Sequence, residues 1–294
     1  MVKINDVGFA MGRERETSEG YNTYETFSTN VSITDSDSLN SAVIDWTGAE
    51  AVIRKTDYLM DRCLITLHSG STLTYTDLGA ASGTSGTANF GYFIQNDLRT
   101  LDTFGEWYFD DDTIYMYFGV VNPTTVTVKV STLDNLIYIA GYDYINVEDI
   151  ELQGGNVSGI NLAGASGNYV TYCNLDNCDI SYSGQDGVYL TYTSYSTIDS
   201  LTIAHSGRAG IYGATGSNNT ITYCNISYSG MIAGRANTGS YAVGIRNNYL
   251  TTTTIQYNNI VYSGSDGIYF QGDNTEVRNN FINYSSMVVS DRGG

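Results

Sequence analysis

The side chains best placed to act on a ligand lie in the second half of the chain. Arg208, Arg235, Arg246 and His205 fall in or beside one pair of repeats, in a sequence of formal net charge −18. Cations gathered in an acidic chain point to an anionic ligand group, because guanidinium forks match carboxylates. In β-elimination from a uronic acid, a cation or metal neutralises the sugar carboxylate and a base removes the adjacent proton. Arg208 and Arg246 fit the first role and His205 is a candidate for the second. The alternative is structural. The arginines would form surface ion pairs, and His205, which aligns with Tyr182, Tyr228 and Tyr262, would replace a tyrosine inward or at a turn.

A second set of residues follows the Gly-Ile or Gly-Val pair of each repeat: Asn161, Tyr189, Tyr212, Arg246 and Tyr269. If that pair ends facing inward, the next side chain faces out. Tyr189, Tyr212 and Tyr269 would then stack on sugar rings along an exterior stripe. Arg235 would join them from the segment Met231-Ile-Ala-Gly-Arg-Ala-Asn-Thr-Gly-Ser-Tyr-Ala-Val243, which interrupts the repeat as a loop wall would. The plainer reading is a tyrosine ladder favoured by strand propensity alone.

Both sets depend on a scaffold that brings distant residues into register, and the sequence supplies one. The motif Ile-x-Tyr/His-Ser-Gly-x-x-Gly-Ile recurs as Ile180–Val188, Ile203–Ile211 and Ile260–Ile268. An interrupted copy runs from Ile226 to Gly244-Ile245, a degenerate one from Ile150, and a last one begins at Ile282. The basic step is 22–23 residues, with extra residues near 174–180 and at 231–243. An in-phase segment precedes each motif: Val170-Thr-Tyr-Cys, Ile198-Asp-Ser-Leu, Ile221-Thr-Tyr-Cys, Ile255-Gln-Tyr-Asn and Val277-Arg-Asn-Asn. Each period therefore holds three short alternating strands separated by Asn or Gly turns. Three such strands cannot bury a face alone, and stacked coils can. Leucine-rich repeats share the period, but their Leu-x-x-Leu-x-Leu signature is missing.

These repeats, over residues 145–290, resemble the right-handed parallel β-helix of the pectate-lyase-like superfamily. The resemblance implies an all-β solenoid and a carbohydrate ligand. It does not supply the family's chemistry. The pectin-hydrolase elements Asn-Thr-Asp, Asp-Asp, Gly-His-Gly and Arg-Ile-Lys do not occur in coils 145–290. The pectate-lyase Arg-x-Pro-x-x-Arg cannot occur, because Pro123 is the one proline. A lysine base, as in related alginate and chondroitin lyases, is excluded beyond Lys129, the last lysine. Asp186 and Asp266 occupy equivalent turns on coils that are not adjacent, which is poor support for a paired-carboxylate hydrolase.

The first half has no clean period. Ala42–Ile53, Cys63–Leu67 and Ser71–Tyr75 read as strands, and residues 77–91 as a loop. Gly105-Glu-Trp-Tyr-Phe-Asp-Asp-Asp-Thr-Ile-Tyr-Met-Tyr117 reads as a hairpin turning at Asp110–Asp112. It resembles one found before the coils in secreted β-helix proteins of polysaccharide-degrading bacteria. Val126–Val130 and Leu136–Ile139 lead into the coils. The expected division is 1–140, irregular coils with a packed β insert, and 141–294, regular coils.

Composition bounds the partners. Residues 1–150 carry 22 acidic against 8 basic residues, and residues 151–294 carry 9 against 5. No basic stripe exists to neutralise phosphates, so nucleic acid is excluded. No run approaches a membrane span. Cys63, Cys173, Cys178 and Cys224 match no zinc spacing and read as buried thiols, a Cys173–Cys178 bridge being allowed but unforced. No metal site is assigned, and calcium is the one ion that the Asp/Asn turns suggest. No signal peptide precedes the polar start, and Asp291-Arg-Gly-Gly294 follows the beginning of another repeat, so the chain reads as part of a longer one.

The expected protein is a bacterial, extracellular or cell-surface β-helix that binds a polysaccharide along an exterior groove, lyase-like or glycosidase-like. The other reading is a non-catalytic adhesin, glycan-binding or structural module. The oligomeric state is left open.

Overall fold

The computed structural model describes residues 1–79, 86–236 and 241–289. The chain divides into two compact units, Val2–Val130 and Met1 with Ser131–Gly294.

The second unit is the solenoid. Three parallel sheets of six coils run along it. The first face is built from Asn135–Ala140, Ser158–Ala163, Asp186–Ser194, Ile211–Ser217, Ile245–Asn247 and Ile268–Phe270, with two short strands, Val170–Thr171 and Leu250–Thr251, pairing at its side. The second runs from Asn146–Glu148 through Asn174–Asp176, Thr197–Asp199, Thr220–Thr222 and Thr254–Gln256 to Glu276–Arg278. The third runs from Glu151–Gln153 through Asp179–Ser181, Thr202–Ala204, Asn225–Ser229 and Asn259–Ser263 to Phe281–Asn283. Alternation within each short strand sends one aliphatic side chain inward. The parallel register then puts like on like: Ile180 on Ile203, Ile203 on Ile226, Ile226 on Ile260. These rungs are buried, and with Leu175, Ile198, Ile221 and Ile255 they make one continuous core. Cys173, Cys178 and Cys224 sit in it as free thiols, each donating to backbone carbonyls. The allowed Cys173–Cys178 bridge is not formed.

The corners carry the period. Each turn between faces needs a left-handed residue, and tyrosine often fills it: Tyr172 (φ 55°), Tyr195 (φ 54°), Tyr223 (φ 54°) and Tyr228 (φ 55°). That conformation is costly for a bulky residue. Ring stacking between coils offsets the cost. Between the third and first faces Tyr182, His205, Tyr228, Tyr262 and Tyr284 form one column, with successive ring centroids 4.8, 4.9, 4.8 and 4.7 Å apart. Glycine serves where a side chain has no room. A Cβ on Gly210 would lie 2.4 Å from Ile226 Cγ2 and 2.7 Å from the Gly244 carbonyl.

The first unit is built differently. Its seven-stranded sheet is antiparallel throughout, and its central hairpin is Glu50–Thr56 with Leu59–Ser69. Tyr24, Ile33, Ile53, Ile65, Leu73, Tyr92 and Ile94 form its core. The pairings of residues 2–130 are thus non-local and leave no short period to read. Ala42–Trp46 is not strand. Asn40 captures the chain there: its side chain accepts from the Ala42 N–H and its carbonyl from those of Val43 and Ile44. The aromatic hairpin does form, as Trp107–Asp110 with Thr113–Met116, and Tyr108 stacks on Tyr115 at 4.8 Å. Of the expected loop, residues 80–85 lie outside the described residues, as do 237–240 of the insertion and 290–294 of the last repeat. Among the described residues no helix is long and apolar enough to cross a membrane.

Candidate functional site

The outward row lies in register on the first face. Tyr138, Asn161, Tyr189, Tyr212, Arg246 and Tyr269 follow one another from coil to coil. The inward neighbours Ile160, Val188, Ile211 and Ile245 are fully buried, which fixes the row on the outer surface. The row is not open along its length. Tyr138 is exposed, Tyr189 and Tyr269 are half-buried, and Tyr212 and Arg246 are only 8% and 7% exposed.

The interrupting segment contributes to this cover. Tyr241, near its end, brings its ring edge-on to Tyr212 at 5.9 Å. The Arg246 guanidinium stands 3.8 Å from the Tyr241 ring centre, 5.1 Å from that of Tyr212 and 5.4 Å from that of Tyr269. Ala209 and Val243 close the apolar part of the cluster. A cation among three aromatic rings is held by their negative faces, which compensates in part for lost hydration. Burial pushes the Tyr212 phenol up to about 12, with Tyr241 adding to it and Arg246 opposing.

Arg208 completes the group. It leans on Tyr241 at 4.6 Å and on Tyr212 at 5.7 Å. Its Nη2 lies 2.9 Å from Asp186 Oδ2, while Asp186 Oδ1 accepts the Ala209 N–H at 3.1 Å. Asp186 is buried, and burial raises its carboxyl above the ordinary carboxylate value; Arg208 is the main opposing charge and Arg246 a smaller one.

The sequence-derived candidates thus separate. Arg208, Arg246, Tyr212 and Tyr269 come together, with the Tyr189 ring tilted against Tyr212 at 5.1 Å. His205 lies in the corner column: it is exposed, left-handed (φ 56°) and sandwiched between Tyr182 and Tyr228. Arg235 is exposed, and its stem lies against Gly207, beside Arg208 in sequence. Tyr241 carries no signal in the sequence that marks it for the site. The sequence offers Asp186 no carboxylate on the next coil; its partner there is an arginine. Among the described residues, the acids close enough to share an ion are Glu16, Asp102 and Glu106, in the first unit. Glu106 there already accepts the backbone N–H groups of Asp102 and Thr103.

A family model described as a right handed beta helix region matches residues 118–282, more than half of the chain. A solved structure titled "Glycoside hydrolase" aligns with 99% of this chain and 78% of its own, at 11% identity and a TM-score of 0.49. The tailspike protein gp49 from Pseudomonas phage LKA1 aligns with 88% of this chain and 41% of its own, at 12% identity and a TM-score of 0.38. An alginate lyase from Paenibacillus sp. str. FPU-7 aligns with 49% of this chain and 68% of its own, at 16% identity and a TM-score of 0.30. No curated protein matches the sequence.

Proposed function

The chain belongs to the right-handed β-helix family, and from that premise we propose that it binds an acidic polysaccharide, outside the cell, along the first face. The observation that carries this reading is Arg246 held among Tyr212, Tyr241 and Tyr269 in a row continued by Tyr189. Rings at coil spacing offer stacking surface to sugar rings. Arg208 and Arg246 offer positive charge to a uronate or other acidic substituent, and Arg235 supports them from the insertion. The chain as a whole carries a net charge of −18, which repels a polyanion, so the coil pair that gathers Arg208, Arg235 and Arg246 is where an acidic group docks.

Binding is the part of the reading that the geometry supports best. Asp186, the buried carboxylate of the cluster, is committed to Arg208 and the Ala209 N–H. Incubation with a panel of acidic and neutral polysaccharides tests the proposal, with binding followed together with reducing ends and the absorbance of unsaturated products. Retention of the acidic polymers, lost in Arg246→Ala, is the expected result. Equal retention of neutral and acidic polymers would overturn it, and unsaturated product would replace simple binding with elimination.

A further inference from the structure

A buried polar cluster of the first unit contains none of the residues proposed to bind glycan. Lys55 and Asp61 are 1% and 0% exposed. Lys55 Nζ lies 3.0 Å from Asp61 Oδ2, 2.5 Å from Asp77 Oδ1 and 3.1 Å from Asn30 Oδ1. The Asp77 and Asn30 contacts are hydrogen bonds. Asp61 meets the amine as an ion pair in which neither oxygen reaches good hydrogen-bond geometry. The nitrogen therefore stands off the line an oxygen lone pair would choose. A fully buried carboxyl held by one misaligned amine calls for an explanation.

We propose that Lys55 Nζ and the Asp61 carboxyl carbon condense to an intramolecular amide, with Asp77 as proton acceptor. The reacting forms are the Lys55 ammonium, the protonated Asp61 carboxyl and the Asp77 carboxylate. The ammonium passes one proton to Asp77 Oδ1, to which it already donates. The freed amine attacks the Asp61 carbon, the carboxyl hydroxyl leaves as water with the second amine proton, and the third remains on the amide nitrogen. The products are a neutral amide, one water and a protonated Asp77, and no oxidant or cofactor is needed.

The surroundings bear on each step. Burial raises the Asp61 carboxyl above its ordinary value, against the pull of Lys55, which favours the neutral, electrophilic form. Burial works to lower the Lys55 ammonium, but the Asp77 hydrogen bond and nearby acids outweigh it and hold the proton; a base in contact is thus required, and Asp77 is that base. The Tyr75 ring, 5.4 Å from Nζ, and the Cys63 thiol, 3.3 Å from Asp77 Oδ1, wall the site. Fixing amine and carboxyl in contact replaces a bimolecular encounter with a step of very high effective concentration. Protonated Asp61 is a better electrophile than the Asn30 carboxamide, which selects it among the neighbours. The link would close the turn between Glu50–Thr56 and Leu59–Ser69, the central hairpin of a unit whose one cysteine is a free thiol.

The test is the intact mass of the full chain, denatured after folding at neutral pH. The expected mass is one water below the sequence value. Trypsin should then release residues 55–62 as one peptide, uncut after Lys55 and lighter by one water. Asp77→Asn should slow or abolish the loss while Lys55 and Asp61 remain, and Asp61→Ala should restore the full mass. Wild-type chain at full sequence mass would overturn the proposal without recourse to any variant. So would a lost water that maps to another peptide, such as one containing Asp186-Gly187, or a lost ammonia that maps to Asn30.

Discussion

Replacing Arg208 by methionine isolates the electrostatics of the candidate site. Methionine keeps an unbranched apolar stem against Tyr241 but leaves the buried Asp186 carboxylate with one hydrogen bond, from the Ala209 N–H. Removing one partner of a buried ion pair costs about 3–5 kcal/mol. The Arg208 side chain is 20% exposed, so water relieves part of the loss and about 3 kcal/mol is expected at pH 7. For a unit of this size that lowers the melting temperature by about 6–12 °C. The sign of the pH dependence follows from Asp186. Burial already holds its carboxyl above 3.8 in the folded chain, and losing Arg208 raises it further. The folded variant then binds a proton that the unfolded chain takes up only near 3.8. The deficit against wild type should narrow as pH falls from about 7 toward 4, and Asp186→Asn in the same background should recover most of it at pH 7. Thermal melts across that range decide the matter. A deficit that is absent, or constant with pH, would refute the ion-pair account of the cluster.

Three other changes test the scaffold. Ile226→Ala opens a cavity between Ile203 and Ile260 and should cost about 2–5 kcal/mol by urea unfolding of the solenoid. Gly210→Ala forces a Cβ to within 2.4 Å of Ile226 Cγ2, and strain of about 1–3 kcal/mol should appear in the same assay. In the first unit His68 is buried and accepts the Trp46 N–H at Nδ1; burial lowers its pKa below 6.5. Its neutral form therefore contributes stability that is present above about 6.5 and lost as pH falls below it. His68→Gln should remove that component from the pH profile of the unit, and an unchanged slope would show that His68 does not carry it.

The solenoid is legible in sequence because its signal is local and repeated. One inward aliphatic per strand and a left-handed residue per corner recur every coil, so Ile180, Ile203, Ile226 and Ile260 announce their own stacking. The outward row follows from the same register. Its burial does not, because Tyr241 reaches Arg246 by the path of an insertion that has no counterpart in other coils. Asp186 escaped for a related reason: it opens its strand, and its charge is satisfied one coil away. The first unit was the least readable. Glu50 pairs with Gln95 across 45 residues, and such antiparallel pairings leave no period. Ala42–Trp46 shows the local limit, since a strand-like composition there lost to the turn that Asn40 builds.

The central claim is that the first face recognises the acidic group of a glycan. Titration calorimetry should compare one acidic polysaccharide with its carboxyl-reduced counterpart, for wild type and Arg246→Ala. Tight, salt-sensitive binding of the acidic polymer alone, weakened by at least tenfold in Arg246→Ala, is the predicted result, tenfold corresponding to about 1.4 kcal/mol. Equal affinity for the two polymers, or full binding by Arg246→Ala, would contradict it.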